Sequence, residues 1–104
     1  MTTLEFKQTQ LRNGMVFDYK QHIIDIVRST PPVDQQGIQK RVFTDADMDE
    51  AEALADKIEQ ANGSVELTAQ EVMQLASKVE LRQWPFSDKA FREFVADIKA
   101  LKDQ

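Results

Sequence analysis

Three aspartates at alternate positions, Asp45, Asp47 and Asp49, look like the opening of a calcium-binding loop. Such a loop also needs glycine at its sixth position and glutamate at its twelfth, where this chain has Glu50 and Asp56. Carboxylates in a first helical turn are favoured by the positive end of the helix dipole. We therefore interpret these residues as the start of an acidic helix, and we predict no metal site.

His22 is the single histidine of the chain. Catalysis needs a nucleophile beside it, and metal binding needs further ligands, for which Asp18 and Asp25 are the local candidates. The chain also lacks cysteine and a glycine-rich phosphate loop. We therefore expect a partly packed or surface histidine in a protein that is not an enzyme and uses no cofactor.

Charge is unevenly distributed along the chain, although the net charge is −5. Between Thr44 and Gln60 the acidic residues far outnumber the single cation Lys57, whereas basic residues collect on one side of the last predicted helix. Complementary charge across an interface governs association rate and partner choice. We predict interaction surfaces on these two helices, with the following candidate residues: Asp45, Asp49, Glu52, Asp56, Lys89, Arg92 and Lys99.

Two functions fit this distribution, beside the alternative that both faces are only solvated. In the first, the chain is a protein-binding module whose acidic helix meets a basic partner, or two copies pair acidic to basic. In the second, the last two helices read DNA as a helix-turn-helix, although the connection through Trp84-Pro85-Phe86 is long for that motif and acidic charge opposes phosphate. We favour a protein partner or self-association over nucleic acid.

The clearest structural signal is the helix that starts at Thr68. Thr68 and Glu71 have the spacing of a capping box, and Leu67 and Val72 can form a hydrophobic staple around it. One apolar face then follows at helical spacing until the helix ends near Leu81: Val72, Leu75, Ala76 and Val79.

Two further helices have similar starts. Thr44 or Asp45 opens one that stops at Asn62-Gly63, and its apolar face contains Met48, Ala51, Leu54, Ala55 and Ile58. Ser87 is the predicted cap of the last helix, whose stripe contains Phe91, Phe94, Val95, Ile98 and Leu101. Three apolar faces of this size are expected to pack on one another, because none can be buried alone.

The N-terminal part predicts strands and one ambiguous segment. Residues 1–17 fit a β-hairpin that turns at Asn13-Gly14 and returns through Met15-Val16-Phe17. Residues 18–28 fit a helix capped by Asp18 or a β-branched strand, and we favour the helix. Pro31-Pro32 indicates a loop, and Ser64 to Leu67 a brief extended link. We therefore predict a helix-dominated α+β fold in one domain over 1–104, with a hairpin at 1–17 and about four helices in 18–104.

Three features of the sequence bear on the compartment of the protein. The first residues lack the basic and apolar segments of a signal peptide, and no apolar run approaches the ~20 residues that a membrane helix needs. The absence of cysteine is compatible with a reducing cytosol. We expect a cytoplasmic protein without a membrane partner.

The C-terminal part of roughly 40 residues resembles a known group of proteins. The residues that carry the likeness are Val65-Glu66-Leu67-Thr68, Trp84-Pro85-Phe86 and Phe94-Val95. Together with the helices between them, they are similar to small, uncharacterised proteins encoded by tailed bacteriophages and prophages. The resemblance implies a phage accessory role, in particle assembly or in binding a host protein, and it brings no catalytic residue.

Overall fold

Four α-helices and four short strands form the fold in a computed structural model that describes residues 2–34 and 36–103. The helices are α1 (Tyr19–Ser29), α2 (Asp45–Gln60), α3 (Ala69–Leu81) and α4 (Lys89–Ala100), which continues into a 3₁₀ turn over Leu101–Asp103. The strands are β1 (Thr2–Glu5), β2 (Gln8–Gln10), β3 (Val16–Asp18) and β4 (Ser64–Leu67). The predicted helix-dominated α+β class is confirmed.

The N-terminal hairpin consists of β2 and β3, which pair antiparallel with Gln10 opposite Val16. Its loop contains the predicted Asn13-Gly14 pair, and Gly14 adopts a φ of +87°. The Gly14 N–H donates to the Leu11 carbonyl, as in a loop where a type I turn is followed by a left-handed residue. A hairpin is therefore present, but it covers residues 8–18 rather than 1–17.

The first half of the hairpin predicted over residues 1–17 is interrupted at Phe6 and Lys7, which belong to neither β1 nor β2. Its first part, β1, pairs antiparallel with β4, and the buried side chains of Leu4 and Val65 stand opposite each other. The Phe6 N–H donates to the Gly63 carbonyl just before β4. Residues 64–67, predicted as a brief extended link, form the strand β4, because the N-terminus supplies a pairing strand that is remote in sequence.

The ambiguous segment after the hairpin is helix α1. The Asp18 side chain caps it by accepting from the Lys20 N–H at 3.1 Å. The end of α1 is unusual. In a continued helix, residue 31 would donate its N–H to the Val27 carbonyl, but residue 31 is a proline and has no N–H. Lys78 of α3 supplies that donor instead, with its Nζ 2.9 Å from the Val27 oxygen and its side chain only 2% exposed. A lysine thus completes the C-terminus of a neighbouring helix.

Capping boxes begin both α2 and α3. Thr44 and Asp47 form the first, which resolves the choice between Thr44 and Asp45, and Thr68 and Glu71 form the second as predicted. The Lys57 ammonium of α2 also reaches Glu71 at 2.8 Å. The two helix starts are therefore fixed by local hydrogen bonds and linked by an ion pair.

The buried apolar face of α2 is shorter than predicted. Ala51, Leu54, Ala55 and Ile58 are buried, but Met48 is 49% exposed. Met48 points in nearly the same direction as the buried Ala55, seven residues further on, but it lies in the first turn of α2, before the buried residues begin at Ala51. The prediction of a buried Met48 is wrong.

Helix α4 is capped by Asp88 and not by Ser87. The Asp88 carboxylate accepts from the Ala90 N–H at 3.0 Å and from the Arg12 N–H at 3.1 Å. The hairpin loop thus provides a second donor to the Asp88 carboxylate, which lies one residue after the predicted cap Ser87. Phe86, just before this cap, contacts Phe91, with ring centroids 5.1 Å apart.

We expect Asp88→Asn to reduce the acid sensitivity of the domain. The two backbone N–H donors of Arg12 and Ala90 lower the pKa of Asp88 from its ordinary value of 3.8. A carboxyl with a lowered folded-state pKa stabilises the fold above its unfolded pKa, and this contribution disappears as pH falls through the folded value. Urea midpoints of the wild type should therefore fall more steeply below about pH 4 than those of the variant. Parallel curves would contradict this role, since Asp47 and Glu71 titrate in both proteins.

The core contains the three predicted apolar stripes together with α1. The residues of α3 predicted to face inward are all buried, and so are those of α4 except the partly buried Val95. An aromatic group forms the centre, where the Phe17 ring lies 5.2 Å from Phe91 and 5.3 Å from Phe94. The predicted packing of the helix faces is confirmed, with the hairpin adding Phe17.

Candidate functional site

A groove of about 720 Å³ lies between the end of α3, the connection over residues 82–88, and one face of α4. Its volume is in the range of ligand and peptide sites, about 300–1,000 Å³. The apolar part of its lining consists of Val79, Trp84, Phe86, Phe91, Val95 and Ala96. We call this surface the α4 groove.

Aromatic rings make up much of the α4 groove. The Trp84 ring stacks on Phe91 with centroids 4.6 Å apart and planes 26° apart. Phe86 contacts the same ring from the loop and remains 49% exposed. Exposed apolar patches in a concave, polar-rimmed surface mark interaction sites more often than ordinary surface. Phe91 thus belongs to the core, while Phe86 offers apolar area to a ligand.

Three cations and two carboxylates line the α4 groove: Arg82, Arg92, Lys99, Glu80 and Asp88. Arg82 is held against α1, because its guanidinium donates to Asp25 at 3.3 Å and to Ser29 at 3.4 Å. Its Cζ also lies 5.9 Å from the Trp84 ring centroid. Arg82 therefore acts as a fixed part of the wall beside the tryptophan.

The two α4 cations in the groove differ in their partners. Lys99 lies 3.9 Å from Glu80, which has a closer partner in Lys102 at 3.3 Å. Among residues 2–34 and 36–103, no carboxylate oxygen lies within 4.0 Å of the Arg92 guanidinium. The groove thus presents one cation without an ion-pair partner and one with a long, exposed contact.

The acidic candidates lie together on a different helix. Asp45, Asp49, Glu52 and Asp56 share the exposed side of α2. Arg28 of α1 reaches this side, with nitrogens 3.3 Å from Glu52 and 3.5 Å from Asp56. The acidic face predicted for partner binding is therefore partly neutralised within the chain.

The basic candidates divide between two places. Arg92 and Lys99 line the α4 groove, whereas Lys89 lies outside its lining, is 83% exposed, and is 3.9 Å from Glu93. Trp84 and Phe86 are not among the predicted interaction residues, because the sequence indicates only that they lie in the connection before the last helix. The signal that could have indicated it is two aromatics around a proline, directly after the cation Arg82.

His22 has a packing role in the structure. Its ring centroid lies 4.2 Å from that of Phe17, and its Nδ1 lies 3.3 Å from the Asp18 carbonyl oxygen. Within the described residues, no three His, Cys, Asp or Glu side chains are grouped so that they could hold a metal ion. The same residues include no helix with the length and apolarity to span a membrane.

No protein-family profile, curated protein or solved structure matches this chain. Function is therefore inferred from the α4 groove and the charges around it.

Proposed function

We propose that this chain is a non-enzymatic protein-binding module whose contact surface is the α4 groove. The observation that carries the proposal is the exposed Phe86, which contacts Phe91 as the partly buried Trp84 does, in a concavity lined by Arg92 and Lys99. Aromatic residues and arginine are the types most enriched at protein interfaces and among their dominant contacts. A partner side chain that packs against these rings would be shielded from water, and so would the Phe86 ring.

The wider setting of the module follows from the sequence. We place it in the cytoplasm, because the chain has no cysteine and an acidic, strongly charged composition. The resemblance of the C-terminal residues to phage and prophage proteins supports an accessory role, in particle assembly or in binding a host protein. These assignments are consistent with a groove that binds one protein partner.

The alternative of a helix-turn-helix DNA reader has less support. Residues 82–88 separate α3 from α4, whereas the motif uses a turn of about three or four residues. Helix α4 itself carries Glu93 and Asp97 beside its cations, and the chain has a net charge of −5. Phosphate binding would have to overcome this acidic background.

Affinity capture from the native host tests the proposal. We expect a protein partner that the wild type retains after nuclease treatment, and that Arg92→Glu and Phe86→Ser each lose. Lys89→Glu is the matched control, because it makes the same charge change on α4 outside the groove lining. Partner retention by both groove variants would place the interface elsewhere. Recovery that depends on intact nucleic acid would favour the DNA-binding alternative.

A further inference from the structure

We infer that the α4 groove binds an acidic amphipathic helix of a partner protein, with two carboxylates seven residues apart and a large apolar side chain between them. This inference rests on the proposed function and specifies its ligand. It follows from the spacing of Arg92 and Lys99, from the apolar surface between them, and from the ion pairs that the charged side chains of the groove already form within the chain.

The cations set the spacing. Arg92 and Lys99 are seven residues apart on α4, so they lie on the same helix face about 10 Å apart along its axis. A partner helix that lies along α4 repeats this distance between its own residues i and i+7. Carboxylates at those two positions can therefore meet both cations without bending either helix.

The apolar surface lies between the two charges. Val95 and Ala96 are on α4 between Arg92 and Lys99, and Trp84 and Phe86 form the other part of the lining. On a partner helix, positions i+3 and i+4 lie between i and i+7 on the same face. A leucine, methionine or phenylalanine there would contact the aromatic rings while the flanking carboxylates meet the cations.

The existing ion pairs favour an acidic ligand. Arg92 has no carboxylate within 4.0 Å in residues 2–34 and 36–103. Lys99 can move away from Glu80, because Lys102 is the nearer partner of Glu80, at 3.3 Å. Asp88 also lines the groove, but its two oxygens accept from the Ala90 and Arg12 N–H groups and neither lies within 4.0 Å of the Arg92 guanidinium. The groove can therefore receive negative charge without breaking a close internal contact.

A second copy of this chain matches the groove less well than a separate acidic helix. On α2, Asp45 and Glu52 are seven residues apart with the exposed Met48 between them, which is the required pattern. Glu52, however, already lies 3.3 Å from Arg28 of its own chain. If α2 of a second copy bound in the groove, Glu52 would have to give up or share its contact with Arg28. An acidic helix whose carboxylates have no ion-pair partner would lose no such contact.

The test uses three tyrosine- and tryptophan-free peptides of about 16 residues on an alanine–glutamine background that favours helix. The first has glutamates at i and i+7 with leucines at i+3 and i+4. The second replaces both glutamates with lysine, and the third replaces both leucines with alanine. Each is titrated into the full chain at low salt while the fluorescence of Trp84 is recorded, because Trp84 is the only tryptophan and lines the groove.

We expect the glutamate–leucine peptide to bind, and the lysine and alanine versions to bind at least about tenfold more weakly. Arg92→Glu and Lys99→Glu should each weaken the first peptide by about fivefold or more, and Arg92→Gln by less. Lys89→Glu, the control outside the groove, should stay within about twofold, apart from the general effect of net charge. Circular dichroism of each variant confirms that it is folded.

Equal binding of the lysine and glutamate peptides would overturn the inference, and so would an equal loss with Lys89→Glu and Arg92→Glu. The proposed function would survive either result if the host partner still required Phe86 and Arg92. Concentration-dependent self-association in sedimentation, abolished by Arg92→Glu and by Glu52→Lys, would assign the groove to a second copy and also overturn the inference. Failure of the host capture would instead count against the proposed function.

Discussion

Replacing Phe94 with alanine is expected to lower the free energy of unfolding by roughly 3–5 kcal/mol. The Phe94 side chain is fully buried, and its ring makes edge contacts with Tyr19 at 4.9 Å and Phe17 at 5.3 Å between centroids. It also lies 6.0 Å from Trp84. Three elements meet around this ring, so the cavity left by alanine cannot be closed by moving one side chain.

Urea denaturation followed by circular dichroism measures this loss. Phe86→Ala makes the same chemical change at a half-exposed ring, and it should cost less than about 1 kcal/mol. Similar losses for the two variants would contradict the assignment of Phe94 to the centre of the core. A variant too unstable to fold at room temperature would agree with it, since domains of this size have only about 5–10 kcal/mol in total.

The second large effect is expected at Lys78. Lys78→Ala should cost roughly 2–4 kcal/mol, because it removes the stem from the core and leaves the Val27 carbonyl without a donor. Pro31 cannot supply the missing N–H. The ammonium is held in the core by this carbonyl at the negative end of α1 and by the Phe43 ring, whose centroid is 5.2 Å away.

Lys78→Met separates packing from hydrogen bonding. Methionine keeps most of the stem, so this variant should lose only about 1–2 kcal/mol for the unsatisfied carbonyl, offset in part by removal of a buried charge. No loss with either substitution would show that Val27 finds another donor. Thermal melts of the wild type and the two variants at pH 7 measure the difference.

The pH dependence gives an independent check on Lys78. Burial lowers the pKa of the Lys78 ammonium from its ordinary value of 10.5. In the alkaline range below 10.5 the unfolded chain therefore binds this proton more tightly than the folded chain, and the free energy of unfolding rises with pH. This rise should be absent in Lys78→Met. Its persistence in that variant would assign it to another group.

Local hydrogen-bond chemistry explains why the helices could be predicted. Thr44, Thr68 and Asp18 each satisfy an orphan N–H within three residues of themselves, so a short stretch of sequence contains the whole signal. The cap of α4 could not be placed, because Asp88 is selected partly by the Arg12 N–H, which is 76 residues away. The partner of β1 was missed for the same reason, since β4 is remote in sequence.

Charge could be predicted more easily than its partners. The sequence identifies Arg92 and Lys99 as cations on one side of α4, and the structure places both in the groove. It does not reveal that Arg28 of α1 reaches Glu52 and Asp56, because that contact depends on how α1 packs on α2. Lys78 could not be recognised as buried, since lysine is almost never fully buried unless another group pairs with it.

The Phe91 side chain belongs to both the groove and the core, which links stability to binding. Phe91 packs 5.2 Å from Phe17 on its core side and 4.6 Å from Trp84 on its groove side. A change that loosens the aromatic centre should therefore also disturb the surface offered by Trp84 and Phe86. Binding measurements on destabilised variants consequently need a folded-state control.

The most direct test of the α4 groove as the contact surface is a nitrogen-15 NMR spectrum of the domain with its captured partner. Trp84 is the only tryptophan, so its indole N–H gives a single resonance from the groove wall. We predict that this resonance and the amides of Arg92, Val95 and Lys99 shift on binding, while those of Asp45 and Asp49 on α2 do not. Shifts confined to α2, with the Trp84 indole unchanged, would contradict the account.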